Sequence, residues 1–393
     1  MYCQIPRSCF NFLKRHGKIS NYKEMHNLYI KNTDDTSFSF SQLEHCLVRQ
    51  KSSKYRKPPE KFKNWCEEIF IRYDNDLAQH FTTGNHWLTS NIKEFILEHV
   101  NKGILDPFAG NCDLKKTLED IGIKDFIGYD IDKTKCCDFV KKNDSLINIP
   151  KSDRLIVTNP PYMAKYTATR YGSLFTKYFE KFEKYNNIYL LALERCLESH
   201  DFVVIIIPET FLLTNCLKSR LYSITIIEDQ MFGNTSFPVL VACFTKNKNS
   251  PDKIKIYKNR DYLFTMKELF SRQKKPIKSI DIKFNKKNGN IGLRAIDSAT
   301  GDKKIMFCHP IDLNYSTKGI KHSSRLMSII SIPSLPEKNI DSFLVKCNKI
   351  LLEYRHSTFD LLMAPFKGND KTGVRRRRLD FRTARAIMEA SFY

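Results

Sequence analysis

Asn159-Pro160-Pro161-Tyr162, following the apolar run Leu155-Ile156-Val157 and Thr158, is the stretch best equipped for chemistry. It offers a side-chain amide, backbone carbonyls and an aromatic ring within four residues. Carbonyl oxygens accept hydrogen bonds from an amino group, and a ring covers a flat face, so the set suits an amino-bearing base. Neither proline donates a hydrogen bond, and each restricts the residue before it. The result is a stiff loop at the carboxyl end of a strand, where open α/β sheets bind ligands. An ordinary tight turn has similar composition, so the residues upstream decide between the two.

Upstream, the apolar run after Gly103 ends at Asp106, followed by Pro107, Phe108, Ala109 and Gly110. Small residues there let a ligand approach the backbone, and Asp113 can begin the next helix. This is a nucleoside-cofactor turn without the three glycines of the dinucleotide fingerprint. Some twenty residues on, Asp125 to Asp130 reads as a second strand ending in a carboxylate. An acidic residue at this spacing accepts from ribose hydroxyls; Asp130 is the first choice and Asp132 the alternative. Ile131 would lie beside the cofactor's adenine.

The elements that must hold these residues alternate. Strands are expected at 155–158, 202–208, 224–228 and 239–245, the last two as a hairpin, with helices at 90–100, 173–185 and 188–199. Phe202 to Pro208 is wholly apolar up to a proline stop, as a central parallel strand would be. An amphipathic helix is expected at 60–73 through Phe62, Trp65, Ile69 and Phe70, after a polar linker at 51–59. A final helix is expected at 381–390. The fold class is therefore α/β.

The chain has 393 residues, 65 Lys+Arg and 43 Asp+Glu, a net charge of +22. From Ser250 onward there are 30 basic and 14 acidic residues, against 35 and 29 before it. Such an excess favours a polyanionic partner. Arg375, Arg376, Arg377 and Arg378 read as a solvated face, a phosphate contact or a nuclear import signal; the resemblance described below makes them the candidate DNA contacts. No run approaches the roughly 20 apolar residues of a membrane span, and the start lacks the apolar core of a signal peptide. The 12 cysteines have no paired framework, which suits a reduced, cytoplasmic setting. No CxxC pairs with a second, so no metal site is expected. Three parts are expected: a 1–77 extension of unreadable role, a 78–249 catalytic domain and a 250–393 basic domain.

Asn159 to Tyr162 is the motif IV pattern of S-adenosylmethionine-dependent amino-group methyltransferases, and other stretches fall in that family's order. Phe81-Thr82 resembles motif X, with Thr83 where the family has proline. Asp106 to Gly110 resembles motif I, with Cys112 in place of its usual glycine. Asp130 matches motif II and Asp144 motif III, whose acidic residue holds the cofactor's adenine amino group. Met231 to Pro238 resembles motif VIII, whose aromatic packs on the target base; Phe232 fits best and Phe237 is its rival. The chain thus resembles the γ class of N6-adenine DNA methyltransferases of type II restriction-modification systems.

That resemblance implies a Rossmann-like S-adenosylmethionine-dependent methyltransferase sheet with a C-terminal mixed α/β basic domain that recognises the target. It implies S-adenosyl-L-methionine bound by Phe81, Thr82, Asp106, Pro107, Ala109, Gly110, Asp130, Ile131 and Asp144. Catalysis would fall to Asn159, Pro160, Pro161 and Tyr162, with Tyr162 and Phe232 stacking on an adenine flipped from double-stranded DNA. A monomer and a cognate restriction endonuclease encoded elsewhere are the expected assembly and partner. Methylation of RNA or of a protein glutamine is the rival chemistry. A non-catalytic DNA-binding relic is the rival class, kept open by Cys112 and Thr83.

Overall fold

The structure, a computed structural model, describes residues 9–11, 13–14, 18–47, 59–66, 69, 82, 84–171, 173–229, 231–232, 237–313 and 326–392. The chain folds as two compact units, residues 1–82 with 96–205 and residues 83–95 with 206–393.

In the first unit, α1 (Tyr22–Thr33) and α2 (Phe40–Leu47) lead. Asn21 caps α1 by accepting from the Glu24 N–H, satisfying one of the amide donors that a helix start leaves unpaired. Tyr29 lies inside an aromatic cluster, edge-on to Phe62, Trp65 and Phe38 at 5.0, 5.3 and 5.7 Å. Phe62, Trp65 and Ile69 are buried with it, and Leu174 joins the same core. The amphipathic stretch thus serves packing, because its apolar face has a partner within this unit. Of the expected linker at 51–59, residues 51–58 lie outside the described residues, as does Phe70 of the expected helix.

Helix α3 (Ser90–His99) leads to β1 (Ile104–Asp106), α4 (Asp113–Glu119), β2 (Phe126–Asp130), β3 (Val140–Lys142) and β4 (Leu155–Thr158). Then come α5 (Lys165–Tyr171), α6 (Thr176–Lys181), α7 (Ile188–Ser199) and β5 (Val203–Pro208). The strands pair in parallel in the order β3-β2-β1-β4-β5. All of β4 and β5 is buried, the pattern that a sheet covered on both faces imposes. Since β1 has β2 on one side and β4 on the other, strand order reverses between β1 and β4. In open α/β sheets ligands bind at this switch, outside the carboxyl ends of the strands.

A side chain on Gly128 of β2 would meet the Ala109 Cβ at 2.8 Å and Val140 at 2.9 Å. Glycine there lets the turn after β1 lie against β2, where the Ala109 N–H reaches the Tyr129 carbonyl at 2.9 Å.

Within the second unit, β6 (Leu221–Ile227) and β7 (Val239–Phe244) form the expected antiparallel hairpin. β8 (Lys255–Lys258) runs parallel to β6, and β9 (Asp261–Thr265) antiparallel to β8. A capping box of Thr265 and Glu268 opens α8 (Met266–Ser271). β10 (Lys283–Phe284), β11 (Ile291–Arg294), β12 (Met306–Cys308) and β13 (Met327–Ser331) make an antiparallel sheet in the order β10-β13-β11-β12. The unit closes with α9 (Ile340–Thr358), the hairpin β14 (Ala364–Asn369) and β15 (Arg375–Arg378), and α10 (Phe381–Phe392). No helix among the described residues is long and apolar enough to cross a membrane.

Candidate active site

Three neighbouring parallel strands deliver the site, because each apolar run stops on a polar residue at the same sheet edge. Asp106 ends β1, Asp130 ends β2, and Thr158 ends β4 just before the Asn159 loop. Asp106 is 1% exposed. Its Oδ1 accepts from the Thr158 hydroxyl at 2.6 Å and the Phe108 N–H at 3.0 Å. Burial outweighs these bonds and pushes its pKa up to about 7. Pro107 and Ala109 are buried beside it, and Gly110 has open space where a side chain would begin.

Asp130 is held by the backbone. Its Oδ2 accepts from the Gly110 N–H at 2.9 Å and its Oδ1 from the Asp132 N–H at 2.8 Å. A carboxylate oxygen has two acceptor sites, so each oxygen keeps one for a diol. Burial raises the Asp130 pKa, and further donors would offset that. The alternative, Asp132, uses its Oδ1 to cap the short turn after it, accepting from the Thr134 N–H and hydroxyl. The geometry thus favours Asp130. Ile131 is half-buried beside it.

Asp144 is also half-buried, and its Oδ2 accepts from the Tyr178 hydroxyl at 2.7 Å. In the Asn159 loop, the Asn159 Nδ2 donates to the Thr82 hydroxyl at 3.2 Å, while its Oδ1 accepts from the Tyr162 hydroxyl at 2.5 Å. Tyr162 is buried, with Tyr189 edge-on at 6.4 Å. Burial keeps its phenol protonated, well above its ordinary range. Pro160 is buried and Pro161 half-buried.

One end of the sheet therefore brings together Asp106, Asp130, Asn159 and Thr82, all in the first unit. Phe81 and Thr83 lie outside the described residues. Phe232 belongs to the second unit and is buried there, whereas Phe237 is exposed. Sequence reasoning missed Thr158, Tyr178 and Tyr189. The signal for Thr158 was its position at the end of β4, level with Asp106 at the end of β1. For Tyr178 and Tyr189 no local pattern marks the contact.

Cys112, noted for replacing glycine, has φ 61°, in the left-handed region. The backbone keeps the glycine-type conformation with a side chain in place. This costs about 1–2 kcal/mol.

The arginine run is corrected by the structure. It forms β15, in which alternate side chains face opposite sides. Arg375 and Arg377 are only 7% and 2% exposed. Arg377 bonds to the buried Glu209 carboxylate, and the Arg375 Nη2 donates to the Ile227 carbonyl at 2.8 Å. Those two guanidiniums thus face the interior of the second unit, away from any phosphate. Arg376 and Arg378 are half-buried on the other face; the Arg376 guanidinium lies 5.1 Å from the Phe366 ring centre.

A parallel sheet with this strand order, carboxylates ending β1 and β2, and an Asn-Pro-Pro-Tyr loop ending β4 define a Rossmann-like methyltransferase. The chain belongs to the Eco57I restriction-modification methylase family, whose sequence profile matches residues 26–234, more than half of it. It is a DNA methyltransferase of restriction-modification type. The match begins within the stretch read as an extension and runs past Phe232.

Several solved structures are similar. A Listeria monocytogenes protein assigned to the class I S-adenosylmethionine-dependent methyltransferases shares 16% identity at TM-score 0.34, covering 65% of this chain and 91% of its own. The type I restriction-modification methyltransferase subunit of Streptococcus thermophilus shares 13% at TM-score 0.33, covering 66% and 71%. The EcoKI M protein shares 11% at TM-score 0.32, covering 91% and 89%. No curated protein sequence matches the chain.

Proposed function

We propose that this protein transfers a methyl group from S-adenosyl-L-methionine to the N6 amino group of an adenine flipped out of double-stranded DNA. The observation that carries the reading is the Asn159 loop, standing at the end of β4 beside the carboxylate that ends β1, at the switch in strand order.

The residues present fit the cofactor. Asp130 keeps an acceptor on each oxygen for ribose hydroxyls, Asp144 faces an adenine amino group, and the buried Asp106 suits a cationic methionine end. Pro107, Ala109, Gly110 and Ile131 line the turn, with Phe81 as a proposed further contact; Thr82, expected from the sequence as another, has its hydroxyl on the Asn159 amide instead. When bound, S-adenosylmethionine supplies an electrophilic methyl on a sulfonium.

The chain's part is to bind and aim the amine. Adenine N6 is a poor nucleophile because its lone pair is delocalised into the ring. The Asn159 Oδ1 and the Pro160 carbonyl accept its two N–H bonds, drawing the lone pair out of conjugation with the ring and aiming it at the methyl group. These dipoles also stabilise the positive charge that develops on nitrogen. Holding the amine in line accounts for much of the remaining acceleration. Flipping costs a few kcal/mol of stacking and pairing, and Tyr162 offsets part of it by covering the base. Phe232 is the proposed second ring, tested by Phe232→Ala. Pro161 keeps the loop rigid. The methylated nitrogen is acidic enough to lose its proton to water.

The test is transfer of labelled methyl from S-adenosylmethionine to unmethylated DNA, RNA and protein in parallel, followed by nucleoside analysis. Label in DNA as N6-methyladenine is the expected result. Label in RNA or protein alone would overturn the substrate. Cofactor binding without transfer would favour a binding protein.

A further inference from the structure

An amide oxygen and an amide NH2 are nearly the same size, so an asparagine that must present oxygen to an amine needs something to hold its other end. In this structure that partner is Thr82. The Asn159 Nδ2 donates to the Thr82 hydroxyl at 3.2 Å, and Thr82 is 7% exposed. The Thr82 backbone N–H donates to the Asp113 carboxylate, at the start of α4. Thr82 is thus tied on one side to the helix that follows the cofactor turn and on the other to the acceptor loop.

The opposite end of the amide is occupied. The Tyr162 hydroxyl donates to the Asn159 Oδ1 at 2.5 Å, taking an acceptor site that the target amine needs. When the amine displaces that hydroxyl, the contact to Thr82 is unaffected, since it uses the NH2 end.

We infer that Thr82 is a positioning residue for methyl transfer: its hydroxyl holds the Asn159 amide with the oxygen towards the incoming amino group. This rests on the proposed reaction, and it assigns Thr82 a role through Asn159 that differs from direct cofactor contact. A single neutral hydrogen bond contributes about 0.5–1.5 kcal/mol, so its loss should slow the chemical step by about two- to twelvefold.

The experiment compares Thr82→Val, which keeps the shape without the hydroxyl, with Thr82→Ser, which keeps the hydroxyl. Three quantities are read: single-turnover methyl transfer at saturating cofactor and DNA, the cofactor Kd, and solvent exchange of the Asn159 side-chain amide in protein carrying 15N-asparagine. The expected result for Thr82→Val is a rate lowered by about two- to twelvefold, an unchanged Kd and faster amide exchange. Thr82→Ser should restore both rate and protection. A weakened Kd with an unchanged saturated rate would make Thr82 a cofactor contact and overturn the inference. Unchanged exchange in Thr82→Val, or a Ser variant no better than Val, would overturn it too. Failure of wild type to methylate any acceptor would sink the reaction, while the amide exchange still decides whether Thr82 holds Asn159.

Discussion

At the scale of single residues, the site is built from groups held against their solution preferences. Asp106 is the clearest case. Burial raises its pKa to about 7, so the folded protein binds a proton there that the unfolded chain releases near its ordinary value of 3.8. This contribution to stability is full in acid and is lost as pH rises through about 7. A cationic ligand beside it favours the ionised form. We therefore predict that S-adenosylmethionine binds more tightly as pH rises from 6 to 8, and that Asp106→Asn weakens binding and flattens this dependence. Titration calorimetry at several pH values checks it; an equally steep profile in the variant would remove Asp106 from the site. Cys112 makes a second prediction. Cys112→Gly relieves about 1–2 kcal/mol of left-handed strain and adds about 0.4–1 kcal/mol of unfolded-chain entropy. The net is a stabilisation on the order of 0.5–1 kcal/mol, read as a raised Tm.

At the scale of elements, strand ends were legible in the sequence and lateral contacts were not. Apolar runs that stop at Asp106, Asp130 and Thr158 announce three strands and their polar ends: burial on both faces forces continuous hydrophobicity in β1 and β4, whereas β2 alternates buried and half-buried positions. The exception at Cys112 was equally visible. The Tyr178 contact with Asp144 was hidden, since it joins residues 34 apart through α6. The arginine run misled for the same reason. A block of four like charges reads as a solvated face, yet a strand turns every second side chain inward, and the partner Glu209 stands 168 residues away from Arg377. Removing one partner of such a buried pair costs about 3–5 kcal/mol. Arg377→Met should therefore lower the unfolding free energy by about that much in urea, a loss of fold that would also be seen without DNA. Arg376→Ala should cost about 0.5–1.5 kcal/mol, since its half-buried side chain donates from Nε to the Asp297 carbonyl at 3.1 Å, and the half-buried Arg378→Ala should cost less than the loss of the buried Arg377. Each is expected to weaken DNA binding if its side chain meets a phosphate; unaltered affinity in both would take this strand out of the interface.

At the scale of the whole molecule, the net charge of +22 makes DNA binding a salt-dependent event. Neutralising about six phosphates would reduce affinity by about 10³-fold between 50 and 200 mM salt. A flat salt profile would contradict a phosphate-driven interface. Charge brings DNA to the protein but cannot methylate it; the reaction depends on one amide oxygen at the end of β4. The most direct measurement of the account is therefore Asn159→Ala, assayed in parallel for methyl transfer to DNA adenine and for DNA affinity at one fixed salt concentration. The account predicts transfer lost by at least about 10²-fold, as when a single oriented dipole is removed from a transition state, with DNA affinity within about twofold of wild type. Equal loss of both activities, or methylation that survives the substitution, would contradict the role assigned to Asn159.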